Sequence, residues 1–351
     1  MFLEIDGSEG EGGGQILRSS LAMSAVLGKP IKVKNIRAGR REPGLQAQHL
    51  TCVRALSNIT NAETIGASLG SQELTFIPRD LRSGTYSFDV SEVRASAGSV
   101  SLVLQAILLP LAYAREVSIV SISGGTHVQW SPTANYLQKV YLPTAAMMGL
   151  KSNINLKRWG WYPRGGGEII AEIHPTKLSG IDLTERGSLK NIMGISAVAN
   201  LPIAIAQRQR DRALAILRSE KFGANIELVN APSYGQGTVV FIFAEYEKSF
   251  AGFESLGAKG KMAEKVAEEA CDDFIKFTHS DAAIDKHLAD QLIPLMALAE
   301  GFSSFTTSNL SLHLLTNIKV AEKFLPVRFE VSGDEGKSGK VSVKGIGFER
   351  H

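Results

Sequence analysis

QILRSSLAMSAVLGKPIKVKNIRAG, residues 15–39, changes its period in the middle. Before Gly28-Lys29-Pro30 the apolar residues Ile16, Leu17 and Leu21 recur at helical spacing. After it the chain alternates as a strand does. Two later stretches keep that order. SLVLQAILLPLAYAREVSIVSISGG (101–125) has a strand that also ends at glycines, and HLADQLIPLMALAEGFSSFTTSNLS (287–311) has its break near Gly301. Helix then strand, three times at wide spacing, predicts duplicated α/β units alike in pattern rather than in identity.

Between the second and third stretches the texture differs. Residues 184–278 run from a strand in TERGSLKNIMGISAVANLP to a charged helix, IAIAQRQRDRALAILRSEKFG. A second strand, GTVVFIFAEY, and a second helix around KMAEKVAEEACDDFIKF follow. This predicts a small α/β domain inserted at 184–278 into a large domain made of 1–183 and 279–351. REPGLQAQHLTCVRALSNIT supplies another helix to the first unit, and the tail around Asp334–Gly339 reads as a hairpin.

A chain of 351 residues is too long for one small core. Its net charge of +3 gives no support to bulk nucleic-acid binding, so basic surface must be local: IRAGRR (36–41), KRWGWYPR (157–164) and QRQRDR (207–212). Cys52 and Cys271 fit no metal pattern and read as free thiols in a reducing compartment. MFLEIDG does not resemble a signal peptide, and the apolar stretch 101–114 is too short to cross a bilayer. The expectation is a cytoplasmic protein with no membrane partner.

The chemistry gathers around DGSEGEGGGQILRSS (6–20). Gly12, Gly13 and Gly14 precede a helix, where free backbone N–H groups suit an anion, yet Asp6, Glu9 and Glu11 occupy the same loop. Either the acids are solvated, or Glu11 holds a divalent cation that bridges to phosphate. Arg37, Arg40 and Arg41 surround Gly39 with guanidinium forks suited to phosphate. WGWYPRGGGEI (159–169) interleaves Trp159, Trp161 and Tyr162 with Arg158 and Arg164, which suits stacked RNA bases or, equally, a turn with core aromatics. A helix through DKHLADQL puts His287, Asp290 and Gln291 on one surface. In SNLSLHLLTNIKVAEKFLP (308–326) His313 lies near a helix start, with Ser308 and Ser311 as candidate caps. A helix N-terminus keeps imidazole neutral and attracts phosphate. No phosphate-binding P-loop is present; AGFESLGAKGK (251–261) comes close but misplaces its lysine and reads as a surface loop.

Taken together, GEGGGQILR (10–18), IRAGRREPGLQAQHL (36–50), SAGSVSLVLQ (96–105), SGGT (123–126), GWYPRGGGEI (160–169), HLADQLIPLMALA (287–299) and SLHLLTNIKVAEKFLPV (311–327) resemble the RNA 3′-terminal phosphate cyclases over nearly the whole chain. One departure is Trp159, where the family has His or Arg before the first glycine; Arg158 stands one residue earlier. The resemblance implies an α/β (α+β) fold: three repeated units, each a sheet backed by two helices, plus the inserted domain. It implies ATP and a divalent cation, Mg or Mn, and an RNA with a 3′-terminal phosphate as partner, and leaves a homodimer open. It assigns His313 as the nucleophile that takes AMP from ATP and passes it to the RNA phosphate, which the 2′-hydroxyl then attacks. Glu11 matches the metal and triphosphate position. Gln105, Pro132, His287, Asp290 and Gln291 match positions around the nucleotide; at 287 the family also carries tyrosine, another flat ring. Arg18, Arg37, Arg40, Gln48 and His49 match positions near the phosphates, although His49 by itself reads as a packed core histidine. The competing expectations are a non-catalytic, cyclase-like RNA-binding scaffold, against which His313 speaks, and a carboxyvinyl transferase acting on small anions.

Overall fold

The structure is a computed structural model that describes residues 1–93 and 96–350. Three of its sheets share one plan. The first contains β1 (Leu3–Asp6), α1 (Gly14–Leu27), β2 (Ile31–Lys34), α2 (Ala47–Thr60), β3 (Glu63–Ile65) and β4 (Leu74–Ile77), with strand order β1-β2-β4-β3. The first pair is parallel and the other two are antiparallel. The second contains β5 (Thr85–Asp89), α3 (Val100–Ala112) and β6 (Ser118–Gly124). It continues with α4 (Ala134–Tyr136), a π-helical turn, α5 (Leu142–Met147), β7 (Ser152–Arg158) and β8 (Gly167–Ile173), in the same order and the same sense of pairing.

β9 (Asp182–Leu183) opens the third sheet, and the chain then leaves it. β10 (Leu189–Ala199), α6 (Ile203–Ser219), β11 (Asn225–Asn230), β12 (Gly237–Tyr246), β13 (Phe250–Leu256) and α7 (Ala263–Thr278) build a sheet of their own, ordered β11-β10-β12-β13. Two of these strands were not legible. β11 has little apolar alternation, and β13 contains the AGFES stretch that reads as loop because of its glycine. The chain then returns with α8 (Lys286–Leu298), β14 (Glu300–Thr307), α9 (Leu312–Phe324), β15 (Glu330–Ser332) and β16 (Gly339–Ile346). The order is again first-second-fourth-third, with β9 parallel to β14. The break before β14 falls at Ala299, and Gly301 lies within the strand.

Apolar helix faces meet in one shared core. α1 packs against α2, α3 and α9, and α9 packs against α8. α3 is buried at every position except Gln105, its one polar residue near mid-helix. Gly28 ends α1 in the left-handed region that glycine adopts without strain. Cations then meet free carbonyls at helix ends: Arg350 donates to Ala25 and Val26 of α1, and Lys29 donates to Phe324 of α9.

Two acids fasten β13 to the rest. Glu254 accepts from the Thr133 backbone N–H (3.1 Å) and hydroxyl (2.5 Å). Asp285 caps α8 and also accepts from the Tyr136 hydroxyl (2.8 Å) and the Gly252 N–H (3.3 Å). Burial pushes the Glu254 carboxyl up to about 7, against the two bonds from Thr133, which pull it down. A carboxyl raised on folding favours the folded state most when it is protonated. That contribution is complete below the unfolded pKa and is lost as pH rises through about 7. Glu254→Gln cannot titrate. Its stability relative to wild type should therefore improve by about 2 kcal/mol between pH 5 and pH 8, read by urea unfolding at both values. A gap that does not change with pH would refute this.

Candidate active site

The glycine loop between β1 and α1 sorts its three acids. Asp6 accepts from Ser8 and Asn35 beside it. Glu9 pairs with Lys323 on α9 at 2.8 Å. Glu11 turns inward: its side chain is 9% exposed and ion-paired with Arg40, and its Oε2 is buried without a hydrogen-bond partner. Backbone geometry allows this arrangement. Gly10 and Gly12 have φ of +58° and +60°, and a Cβ on Gly10 would lie 2.2 Å from the Thr316 hydroxyl. That hydroxyl accepts from the Glu11 N–H at 3.1 Å and donates to the Leu312 carbonyl at 2.6 Å, seating the loop on the first turn of α9.

His313 is the second residue of α9. Ser311 caps that helix by accepting from the Leu314 N–H; Ser308 does not. The His313 side chain is 52% exposed. Its Nδ1 lies 2.5 Å from Gln15 Oε1 and 3.8 Å from Glu11 Oε2. Partial burial first, then the charges of Arg18, Arg40 and His287, hold the ring below the usual histidine range. A neutral imidazole at the start of a helix keeps the lone pair of one ring nitrogen free.

Polar side chains from the other helices converge here. Gln15 Nε2 donates to Asp290 Oδ2 at 2.5 Å, and Gln105 Nε2 donates to Gln291 Oε1 at 2.5 Å. Gln291 in turn donates to the His287 carbonyl. Burial pushes the Asp290 carboxyl up to about 7, opposed by the bond from Gln15 and the charge of Arg18. Arg18 is half-buried beside Gly14, and among the described residues no hydrogen bond from its guanidinium is found. Half-buried donors of this kind suit phosphate oxygens.

His49 comes to the same place in a different role. It is 6% exposed, and its Nδ1 accepts from the Gln46 N–H in the capping box of α2. A Cβ on Gly14 would lie 2.1 Å from its Nε2, so the ring floors the start of α1. Burial, then the charges of Arg18 and Arg37, hold it well below the usual range and therefore neutral. Gln48 accepts from the Ser99 N–H at 3.0 Å, tying α2 to the cap of α3.

Two of the expected residues serve the chain next to them. Arg37 donates to the carbonyls of Glu42 (2.6 Å) and Gly44 (3.0 Å), holding its own loop in shape. Pro132 precedes the Thr133 cap of α4, which Tyr136 links to Asp285. Trp159 and Trp161 are buried, 7% and 3% exposed, and stack on one another; Trp159 also stacks on His127, whose ring burial takes down to about 3. They are core aromatics rather than a base platform. Tyr162 remains 78% exposed. Arg158 donates to the Gly166 carbonyl at 2.6 Å and so supports the glycine run. In QRQRDR, Arg208 and Arg212 on α6 pair with Glu264 and Glu268 on α7, and Arg210 pairs with Asp211, which neutralises that cluster. The residue missed from sequence is Gln15: its partners lie 275 and 298 positions away, and glutamine carries no motif of its own.

Among the described residues no group of three or more His, Cys, Asp or Glu side chains is arranged to hold a metal ion. One carboxylate with a partnerless buried oxygen fits a magnesium-like cation that takes its other ligands from water and phosphate, rather than a protein cage.

Three repeated α/β units with a polar centre where their helices meet define a protein of the repeated-unit α/β class. Residues 9–331 match the family model of RNA 3′-terminal phosphate cyclase. A protein of that name from Nostoc punctiforme is 47% identical over 327 residues, 92% of this chain and 94% of that one. Another from Methylococcus capsulatus is 44% identical over 98% and 97% of the two chains, and one from Hyperthermus butylicus 42% identical over 99% of each. The chain belongs to the RNA 3′-terminal phosphate cyclase family. A solved EPSP synthase from Acinetobacter baumannii overlaps 94% of this chain and 62% of that one at TM-score 0.29 and 12% identity, too slight a likeness to bear on fold or function.

The seating of the glycine loop can be tested by stability alone. Gly10→Ala places a methyl against Thr316 at a positive φ and should cost about 2 kcal/mol. With Thr316→Ala the clash is relieved, so the double variant should lose less than the sum of the single changes in a denaturant cycle. Strict additivity would separate the loop from α9.

Proposed function

We propose that this chain uses ATP to convert the 3′-terminal phosphate of an RNA to a 2′,3′-cyclic phosphate, with His313 as the nucleophile. The observation that carries the reading is a neutral, half-exposed histidine at a helix start, facing the glycine loop and flanked by Glu11, Arg18 and Arg40.

A phosphate dianion resists attack by a neighbouring hydroxyl because its oxygens are poor leaving groups and repel the nucleophile. Adenylation removes both obstacles. His313 nitrogen attacks the α-phosphorus, an N–P bond forms, and the bond to pyrophosphate breaks. An oxygen of the RNA phosphate then displaces the imidazole, giving an RNA–adenylate. The 2′-hydroxyl attacks the activated phosphorus, AMP departs with the bridging oxygen, and the hydroxyl proton is released.

The remaining residues divide by position. Arg18 and Arg40 hold phosphate oxygens, and the N–H groups at the start of α1 face the same charge. Gln48 and His49 border the RNA end, with His49 acting as a neutral wall. Arg37 contributes by shaping the loop that carries Arg40. Gln105, Asp290 and Gln291 bound the nucleoside, with the His287 ring and Pro132 as its flat neighbours. Glu11 would hold a divalent cation, Mg or Mn, which would neutralise triphosphate charge. We also divide the chain into a large unit, 1–183 and 279–351, and an insert, 184–278; the sheet made solely of β10–β13 supports this. Among the described residues no helix is long and apolar enough to cross a membrane.

Incubation with ATP labelled at the α-phosphate should give acid-labile label on wild type and none on folded His313→Ala, which should also lose cyclisation. Retained cyclisation in that variant would overturn the nucleophile, and no label on wild type would favour an RNA-binding scaffold. Glu11→Ala should keep its fold and need at least ten-fold more magnesium for half-maximal labelling. A metal titration matching wild type would remove the cation from Glu11.

A further inference from the structure

We propose that Gln15 is a positioning residue that holds His313 as its Nδ1–H tautomer, so that Nε2 is the nitrogen presented to the α-phosphorus. The inference rests on the adenylation reading above and adds the residue that holds the ring in one tautomer.

A primary amide has one donating end and one accepting end. Gln15 is 6% exposed, and both ends are engaged. Its Nε2 donates to Asp290 Oδ2 at 2.5 Å, and that oxygen can only accept whenever the carboxyl, raised to about 7, has lost its proton. Turning the amide over would set Oε1 against that carboxylate, acceptor against acceptor. Oε1 is therefore directed at His313 Nδ1, 2.5 Å away. Glu11 Oε2, also near Nδ1, is an acceptor as well, at 3.8 Å. Both of these neighbours ask Nδ1 for a proton. A neutral imidazole carries only one proton, so the lone pair lies on Nε2.

Further bonds hold the amide in register. The Asp290 carbonyl accepts from Asn317 Nδ2 at 2.8 Å, and Asn317 Oδ1 accepts from Ser19 Oγ at 2.6 Å. Gln15 and Ser19 lie on α1, Asp290 on α8, and His313 and Asn317 on α9. One first helix from each of two repeats thereby fixes a side chain of α9. During attack the Nε2 lone pair forms the N–P bond while the bond to pyrophosphate breaks. The ring becomes cationic and keeps its Nδ1 proton, and the bond to Gln15 becomes charge-assisted and stronger. That strengthening arises in the transition state, where it accelerates the step. Because the proton stays, the adenylated ring remains a good leaving group for the RNA phosphate.

The test reads the tautomer directly. In protein with 15N-labelled histidine, long-range proton–nitrogen NMR correlations distinguish Nδ1–H from Nε2–H, and subtraction of His313→Ala assigns the ring. Wild type should show Nδ1–H. Gln15→Leu, and the closer-shaped Gln15→Met should Leu fail to fold, should move His313 toward Nε2–H, the form favoured in water. Single-turnover labelling from ATP should fall about 100-fold, with the ATP concentration for half-maximal rate changed less than three-fold. An Nε2–H tautomer in wild type would overturn the proposal. So would an unchanged tautomer and labelling rate in both variants. A wild-type protein with the Nδ1–H ring that takes no label would instead count against the adenylation reading.

Discussion

The carboxamide of Gln15 links the two halves of the site. It joins a carboxylate on α8 to the imidazole on α9, and it does so from the first turn of α1. These helices are brought together by burial of their apolar faces, which leaves few polar atoms among them. An unmet polar atom there costs about 1–3 kcal/mol, which favours pairing. The order Asp290–Gln15–His313 follows from that preference. Once Asp290 is ionised, an acceptor at one end gives the whole chain of bonds a direction.

Electrostatics complete the arrangement. Partial burial, then the charges of Arg18 and Arg40, favour the neutral form of His313, and Arg40 also neutralises the acid that would otherwise repel phosphate. The paradox of acids in a glycine loop disappears once the loop is folded. Two of the three carboxylates point away into local partners, and the third meets an arginine. Loop acidity along the chain thus says little about the field inside the site.

Repetition explains how so small a motif is held so firmly. Each unit runs strand, helix, strand, helix and two further strands, and places its first helix against the shared core. Gln105 and Gln291 occupy the sixth residue of α3 and α8, and they bond to one another where those helices approach. The third unit tolerates an excursion of about one hundred residues between β9 and α8 because its sheet closes by parallel pairing of β9 with β14. Glu254 and Asp285 fasten the excursion to the second and third units.

The sequence by itself determined the three helix–strand units, the charged insert, the helix carrying His287, Asp290 and Gln291, and the cap that places His313 near a helix start. All of these are local: hydrophobic period and capping chemistry act within about ten residues. It could not separate buried tryptophans from exposed ones, paired arginines from free ones, or β11 and β13 from loops. Those outcomes depend on what packs opposite each side chain. Trp159 is core because His127 and Trp161 cover it, and Arg208 is neutralised because α7 lies alongside α6. The selection of one imidazole nitrogen belongs wholly to the tertiary structure. It needs an acceptor from residue 290 and a carboxamide from residue 15 to meet at residue 313, and only the folded core makes them neighbours.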